Sequence, residues 1–142
     1  MSIRVQPQLF TGMTETFSRV FTEGETALYA GLVGDNHLQS HSGGISVAEM
    51  SDRVTVHPAF LVGMISGLLN TRLPGEEARC ITVKYEILAP VFCGDRVDTV
   101  IELIELDVVR HLATFRTDCY LPDKTQVIAG QAVMLVPVQL IS

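Results

Sequence analysis

The segment HPAFLVGMISGLL, residues 57–69, is apolar almost without a break, and the period changes directly after it. The run is too short to cross a bilayer, which takes roughly 18–20 residues. It predicts instead a helix from about Pro58 to Thr71, buried on nearly all sides. Pro58 suits the first helical position, where a missing N–H costs nothing. Leu73-Pro74-Gly75 ends the helix. Gly63 and Gly67 lie four apart, on one face. Each costs about 1 kcal/mol of helix propensity, and a sheet packed closely on that bare face would offset the loss.

After the helix the pattern becomes two-residue. In CITVKYEILA, Ile81, Val83, Tyr85 and Ile87 alternate with Thr82, Lys84 and Glu86, as in a strand with one buried face. A turn at Gly94-Asp95 leads to VDTVIELIEL, whose apolar parity slips between Leu103 and Ile104. A β-bulge accounts for such a slip. LATFRTDCYL sets Ala113, Phe115, Cys119 and Leu121 against Thr114, Arg116 and Asp118. The turn at 122–124 leads to a last strand, TQVIAGQAVMLVP, apolar on both faces.

Upstream, TETFSRVFTEGE reads as a short strand and a turn. Glu25 to Val33 has helical composition, and Gly34 can stop it. A polar loop, Asp35–Gly44, ends in the flexible pair Gly43-Gly44, and residues 45–52 read as a short helical turn. Short connections favour antiparallel pairing. An apolar helix and a sheet with an apolar face must cover each other. The expected class is therefore α+β: a single domain over 1–142, with an antiparallel sheet wrapped around a central buried helix, the hot-dog architecture.

The chain is 47% hydrophobic and 18% charged, which excludes a disordered chain. Its formal net charge is −6 and it has no Lys/Arg block. Neither a nucleic-acid nor a membrane partner is expected. Cys80, Cys93 and Cys119 are far apart, with no CxxC pair, so they suit neither a disulfide framework nor a zinc site. They read as buried apolar thiols in a reduced, cytoplasmic setting. MSIRVQPQLF, at the start, has no apolar stretch of signal-peptide type.

The polar residues with chemical capacity gather in GDNHLQSH, residues 34–41. Asp35 reads either as a turn residue after Gly34 or as half of an acid/base pair with a nearby histidine. His37 and His41 are four apart, like helical metal ligands, but the segment is loop-like, so no metal site is expected. Ser40 has no base at a diagnostic spacing. His57 reads as a capping or packing residue.

The order and content of these motifs resemble the MaoC-like (R)-specific enoyl-CoA hydratases and dehydratases. The matching pieces are Gly34-Asp35, Val56-His57, Ser66-Gly67-Leu68-Leu69, Leu73-Pro74-Gly75, and Pro90-Val91 with Gly94-Asp95. They span roughly residues 13–137. The resemblance implies proton transfer on a 2-enoyl or 3-hydroxyacyl thioester of coenzyme A or an acyl-carrier protein. Coenzyme A or phosphopantetheine enters as part of the substrate, with no separate cofactor. A histidine activates water, and Asp35 assists and exchanges a proton at the α-carbon. The family histidine lies five residues after the aspartate. Here that position is Ser40, flanked by His37 and His41. A one-residue bulge near Gly43-Gly44 brings His41 into the site, and His37 is the alternative. Pro58 stands where the family has a glycine N–H for the thioester oxygen, so Ala59 or Phe60 is expected to donate. Ser66 and His57 complete the implied substrate contacts. Such pockets are commonly completed by a second subunit, so a homodimer or a larger even oligomer is expected. A hot-dog thioesterase and a non-catalytic acyl-binding subunit are the other readings.

Overall fold

A computed structural model of the chain describes residues 8–34 and 54–141. Strand β1 (Thr14–Val20) leads into helix α1 (Glu23–Val33). Thr22 starts α1 through a capping box: its hydroxyl accepts the Glu25 N–H, and the Glu25 carboxylate accepts the Thr22 N–H. Gly34 ends α1 at φ 75°, a left-handed conformation that suits glycine. Helix α2 (Pro58–Thr71) has the expected bounds, with Pro58 at its first position. Four strands follow: β2 (Arg79–Ile87), β3 (Arg96–Asp107), β4 (Leu112–Tyr120) and β5 (Gln126–Leu135). The expected turn over 45–52 lies outside the described residues.

The strands form one antiparallel sheet in the order β1-β3-β4-β5-β2. The register shifts between Leu103 and Glu105, at the parity slip, and Ile104 turns outward. Val97, Ile101, Leu103, Ala113, Phe115, Cys119, Ile128, Ala132 and Met134 are fully buried on the inner face. Leu61, Met64, Ile65, Leu68 and Leu69 of α2 complete that core. The result is the hot-dog arrangement of helix and sheet.

Three expectations change. Helix α2 is buried on one face only: Gly63, Ser66, Gly67 and Asn70 are exposed. The sheet meets α2 on its leucine side, where side chains interlock. Beyond the helix's own backbone, no described atom lies within 4 Å of a Cβ added at Gly63 or Gly67. The apolar alternation in β2 is real, but the strand is exposed along its whole length. It lies at the sheet edge, and the described residues leave its inner face about half exposed. Strand β5, apolar on both faces, lies inside the sheet between β4 and β2. The uncovered apolar surface therefore belongs to β2. Of the cysteines, only Cys119 is buried; Cys80 is exposed and Cys93 half-buried.

Candidate active site

The start of α2 is the polar focus of the described residues. His57 is the N-cap, and its Nδ1 accepts the Ala59 N–H at 3.0 Å. The Phe60 N–H donates to the His57 carbonyl at 3.0 Å. Histidine can do this because a neutral imidazole keeps one acceptor nitrogen. The expected capping role of His57 holds. The donors expected for a thioester oxygen, at Ala59 and Phe60, are both already taken. A ligand oxygen reaches the Ala59 N–H only if the imidazole swings away.

Aromatic side chains pack around that helix start. The Tyr29 ring from α1 lies 4.8 Å from the His57 ring and 4.9 Å from Phe60. Phe21 stacks on Phe60 at 5.2 Å. The Arg19 guanidinium sits 5.0 Å over Phe21 and pairs with Glu25. The backbone N–H of Thr22 holds the Glu25 carboxyl below its ordinary range, with the Thr22 hydroxyl and Arg19 adding to the effect. Glu25 thus stays ionised and keeps Arg19 occupied.

From this cluster a trough of about 380 Å³ runs between β1 and α2. Ala59 and Phe60 stand at its start, and Gly63, Met64, Gly67 and Leu68 form its floor. Phe17 and Phe21 wall it, and Thr71 and Arg72 stand at its far end. Its volume falls in the range of small-molecule sites. A second apolar hollow of about 370 Å³ flanks the other side of the helix start, between Pro58, Leu61, Ile87 and Leu88.

Of the expected site residues, Ala59 and Phe60 line the trough and His57 borders it. Ser66 does not line it: its side chain faces outward and its hydroxyl accepts from Asn70 Nδ2 at 3.1 Å. Nor does it face the core. Asp35, His37, Ser40 and His41 lie outside the described residues. Among the described residues no group of three metal-ligating side chains comes together. The sequence reading missed Phe17, Arg19, Phe21, Tyr29 and Arg72. Phe17, Arg19 and Phe21 are two apart and share one side of an extended chain, the one signal that linked them.

No protein-family model matches the sequence. Individual relatives do. The chain is 31% identical over 132 residues to a 3-hydroxybutyryl-CoA dehydratase of Methylorubrum extorquens, covering 91% of this chain and 82% of the relative. It is 29% identical over 126 residues to an (R)-specific enoyl-CoA hydratase of Rhodospirillum rubrum, covering 89% and 87%. Among solved structures, an (R)-hydratase of Aeromonas caviae involved in PHA biosynthesis superimposes with a TM-score of 0.81 at 27% identity. That match covers 91% of this chain and 98% of the other. The resemblance read from the motifs and the homology of the whole chain agree: this chain belongs to the MaoC-like (R)-specific enoyl-CoA hydratase/dehydratase family.

Proposed function

We propose that the protein adds water to a 2-enoyl thioester, or removes it from the 3-hydroxyacyl thioester, of coenzyme A or an acyl-carrier protein. The observation that carries this reading is near-full-length homology to hydratases and a dehydratase of such thioesters. In the hydration direction His41 takes a proton from water, and the water oxygen bonds to the β-carbon. The displaced π electrons pass to the thioester oxygen as an enolate. The enolate collapses as Asp35 delivers a proton to the α-carbon, and the proton held by His41 replaces it. An imidazole titrating near neutrality suits the first step. Donors at the start of α2 would stabilise the enolate oxygen, once His57 releases the Ala59 N–H. Incubation with crotonyl-CoA tests the reaction. Loss of enoyl absorbance without free thiol is the expected result; release of free thiol would make the protein a thioesterase.

A second reading has a specific observation behind it. Pro58 has no N–H, and those of Ala59 and Phe60 are internally bonded. A non-catalytic acyl-binding subunit would tolerate that. Binding of 2-enoyl-CoA thioesters of several chain lengths without turnover would decide for it.

We also propose a homodimer formed through β2. Val83, Tyr85 and Ile87 pair with Ala132, Gly130 and Ile128, so they share the inner, apolar face, yet they are 41–53% exposed. At the opposite edge, Arg72 donates to the Thr16 carbonyl of β1 at 3.3 Å. One edge is guarded and the other is open, which favours closed two-fold pairing over an open array. Light scattering at micromolar concentration should give a dimer or a larger even oligomer; a monomer refutes it. Free thiols and the acidic balance suit a cytoplasmic setting.

A further inference from the structure

We propose that His57 is a pH-sensitive gate on the donor at the start of α2: the neutral imidazole occupies the Ala59 N–H, and protonation of the ring releases it to a thioester oxygen. The assignment rests on the thioester reading above. A helix cap is usually serine, threonine, aspartate or asparagine, whose side-chain oxygen accepts throughout the neutral range. Here the acceptor is Nδ1 of an imidazole, 3.0 Å from the Ala59 nitrogen. Nδ1 accepts only while its lone pair is free, which in the neutral ring puts the proton on Nε2. In the charged ring both nitrogens donate. Two donors then face each other, and the hydrogen bond is lost. The partial positive charge at a helix N-terminus repels the cation as well. Imidazole is the side chain whose ordinary titration falls between pH 5 and 8, so this cap opens where the common caps stay shut.

Pro58 is what makes this one N–H matter. Proline has no N–H to offer, and the Phe60 N–H is bonded to the His57 carbonyl, which protonation of the ring does not touch. Ala59 is the donor that the imidazole alone controls. The charged ring also has a place to go. His57 is half-buried, so it reaches water, and Tyr29, 4.8 Å away on α1, offers an aromatic face to a cation. Tyr29 is the titratable group of α1 beside the ring. Glu25, a turn earlier on α1, is held by Thr22 and by Arg19 from the end of β1. The first turn of α2 carries no acidic residue. The turn at 91–95 bonds to Val54 and Val56, just before His57, and brings Cys93 and Asp95. Cys93 Sγ lies 3.3 Å from the Thr26 hydroxyl, and the Asp95 carboxylate accepts the Phe92 N–H at 3.2 Å.

Two substitutions set the limits of the gate. His57→Asn keeps a capping oxygen that does not titrate, so the donor stays occupied. His57→Ala leaves it free. Hydration of crotonyl-pantetheine, whose arm carries no titrating phosphate, is followed for the three proteins from about pH 5.5 to 8.5, across the imidazole range. Ratios taken at each pH cancel the titration of the proposed proton carriers. At the alkaline end the wild type should match His57→Asn and fall about fivefold below His57→Ala in kcat/KM, the worth of one capping hydrogen bond. At the acid end it should match His57→Ala. A wild-type to His57→Ala ratio that is constant with pH overturns the gate, because a merely structural cap is worth the same factor throughout. Equal rates for His57→Asn and His57→Ala at every pH overturn it too. The Ala59 amide proton, followed by NMR in the unliganded protein, reads the gate without substrate. It should move upfield on acidification in the wild type and stay in place in His57→Asn; a fixed amide in the wild type overturns the proposal. A moving amide in a protein that hydrates no thioester would leave the gate standing and sink the thioester reading instead.

Discussion

The His57 imidazole closes the start of α2 by accepting the Ala59 N–H at 3.0 Å. The same N–H is the one a thioester oxygen could claim if the imidazole swings away, since Pro58 has none and Phe60 donates to the His57 carbonyl. His57 therefore competes with substrate for a donor. His57→Ala should lower stability by about 1 kcal/mol, the usual loss of an N-cap, and leave kcat for crotonyl-CoA equal or higher. Denaturant melts and steady-state rates on the same preparation check both. A fall in kcat of a hundredfold or more would make His57 a proton carrier instead of a cap.

For the proposed proton carriers, Asp35→Asn and His41→Ala should each lower turnover by on the order of 10²–10⁴-fold with folding intact. His37→Ala is the control. If His37→Ala loses activity while His41→Ala keeps it, the histidine assignment reverses. If none of the three matters, proton transfer belongs elsewhere, at the start of α2.

Much of the frame was legible because period and punctuation are local. Pro58 and the unbroken apolar run bounded α2, and the parity slip at Leu103–Ile104 located the bulge. What covers an apolar face is not local. The alternation through Val83, Tyr85 and Ile87 says that a face is apolar, not that this protomer buries it. The glycine pair marked a bare strip on α2, and only the sheet's position showed that the strip does not face the sheet. The trough was illegible for a related reason: Phe17 and Phe21 lie far from Gly67 in sequence, and β1 is set beside α2 by its pairing with β3.

Cys119 should make stability fall in alkali. Burial pushes its thiol up to about 11; the neighbouring Asp118 charge adds to the rise, and the Thr99 hydroxyl opposes it. The unfolded thiol titrates near 9.0. Between those values the unfolded chain loses the proton and the folded chain keeps it, so stability falls as pH rises. The contribution is full below pH 9 and is lost by roughly 2–3 kcal/mol as pH approaches 11. Cys119→Ala should be less stable at neutrality but have a flatter profile from pH 9 to 11. Parallel profiles for the two proteins would refute the linkage.

Gly130 and Thr117 face each other across β4 and β5, and their fit is tight. A Cβ at Gly130 would lie 2.7 Å from Thr117 Oγ1, 2.8 Å from the Lys84 carbonyl and 3.1 Å from Tyr85 Cβ. The Lys84 carbonyl and Tyr85 Cβ belong to β2 and cannot rotate away, so glycine is required by space, not by backbone angle. Gly130→Ala should cost on the order of 1–3 kcal/mol, as overpacking does. Part of that strain should fall on the β2–β5 pairing, and therefore on the edge proposed for dimerisation. The Thr117 hydroxyl is buried without a hydrogen-bond partner among the described residues. Thr117→Val removes that unpaired group at nearly constant shape, so it should be neutral or stabilising by up to about 1 kcal/mol. The double variant separates the two causes. If the clash at Gly130 is with the Lys84 backbone, Thr117→Val will not rescue Gly130→Ala. If the hydroxyl is the obstacle, a smaller side chain, Thr117→Ala, should recover most of the loss. Chemical denaturation of the parent and these variants, with dissociation of the proposed dimer followed in parallel, measures both. A Gly130→Ala protein as stable and as dimeric as the parent would show that the sheet yields where these distances say it cannot.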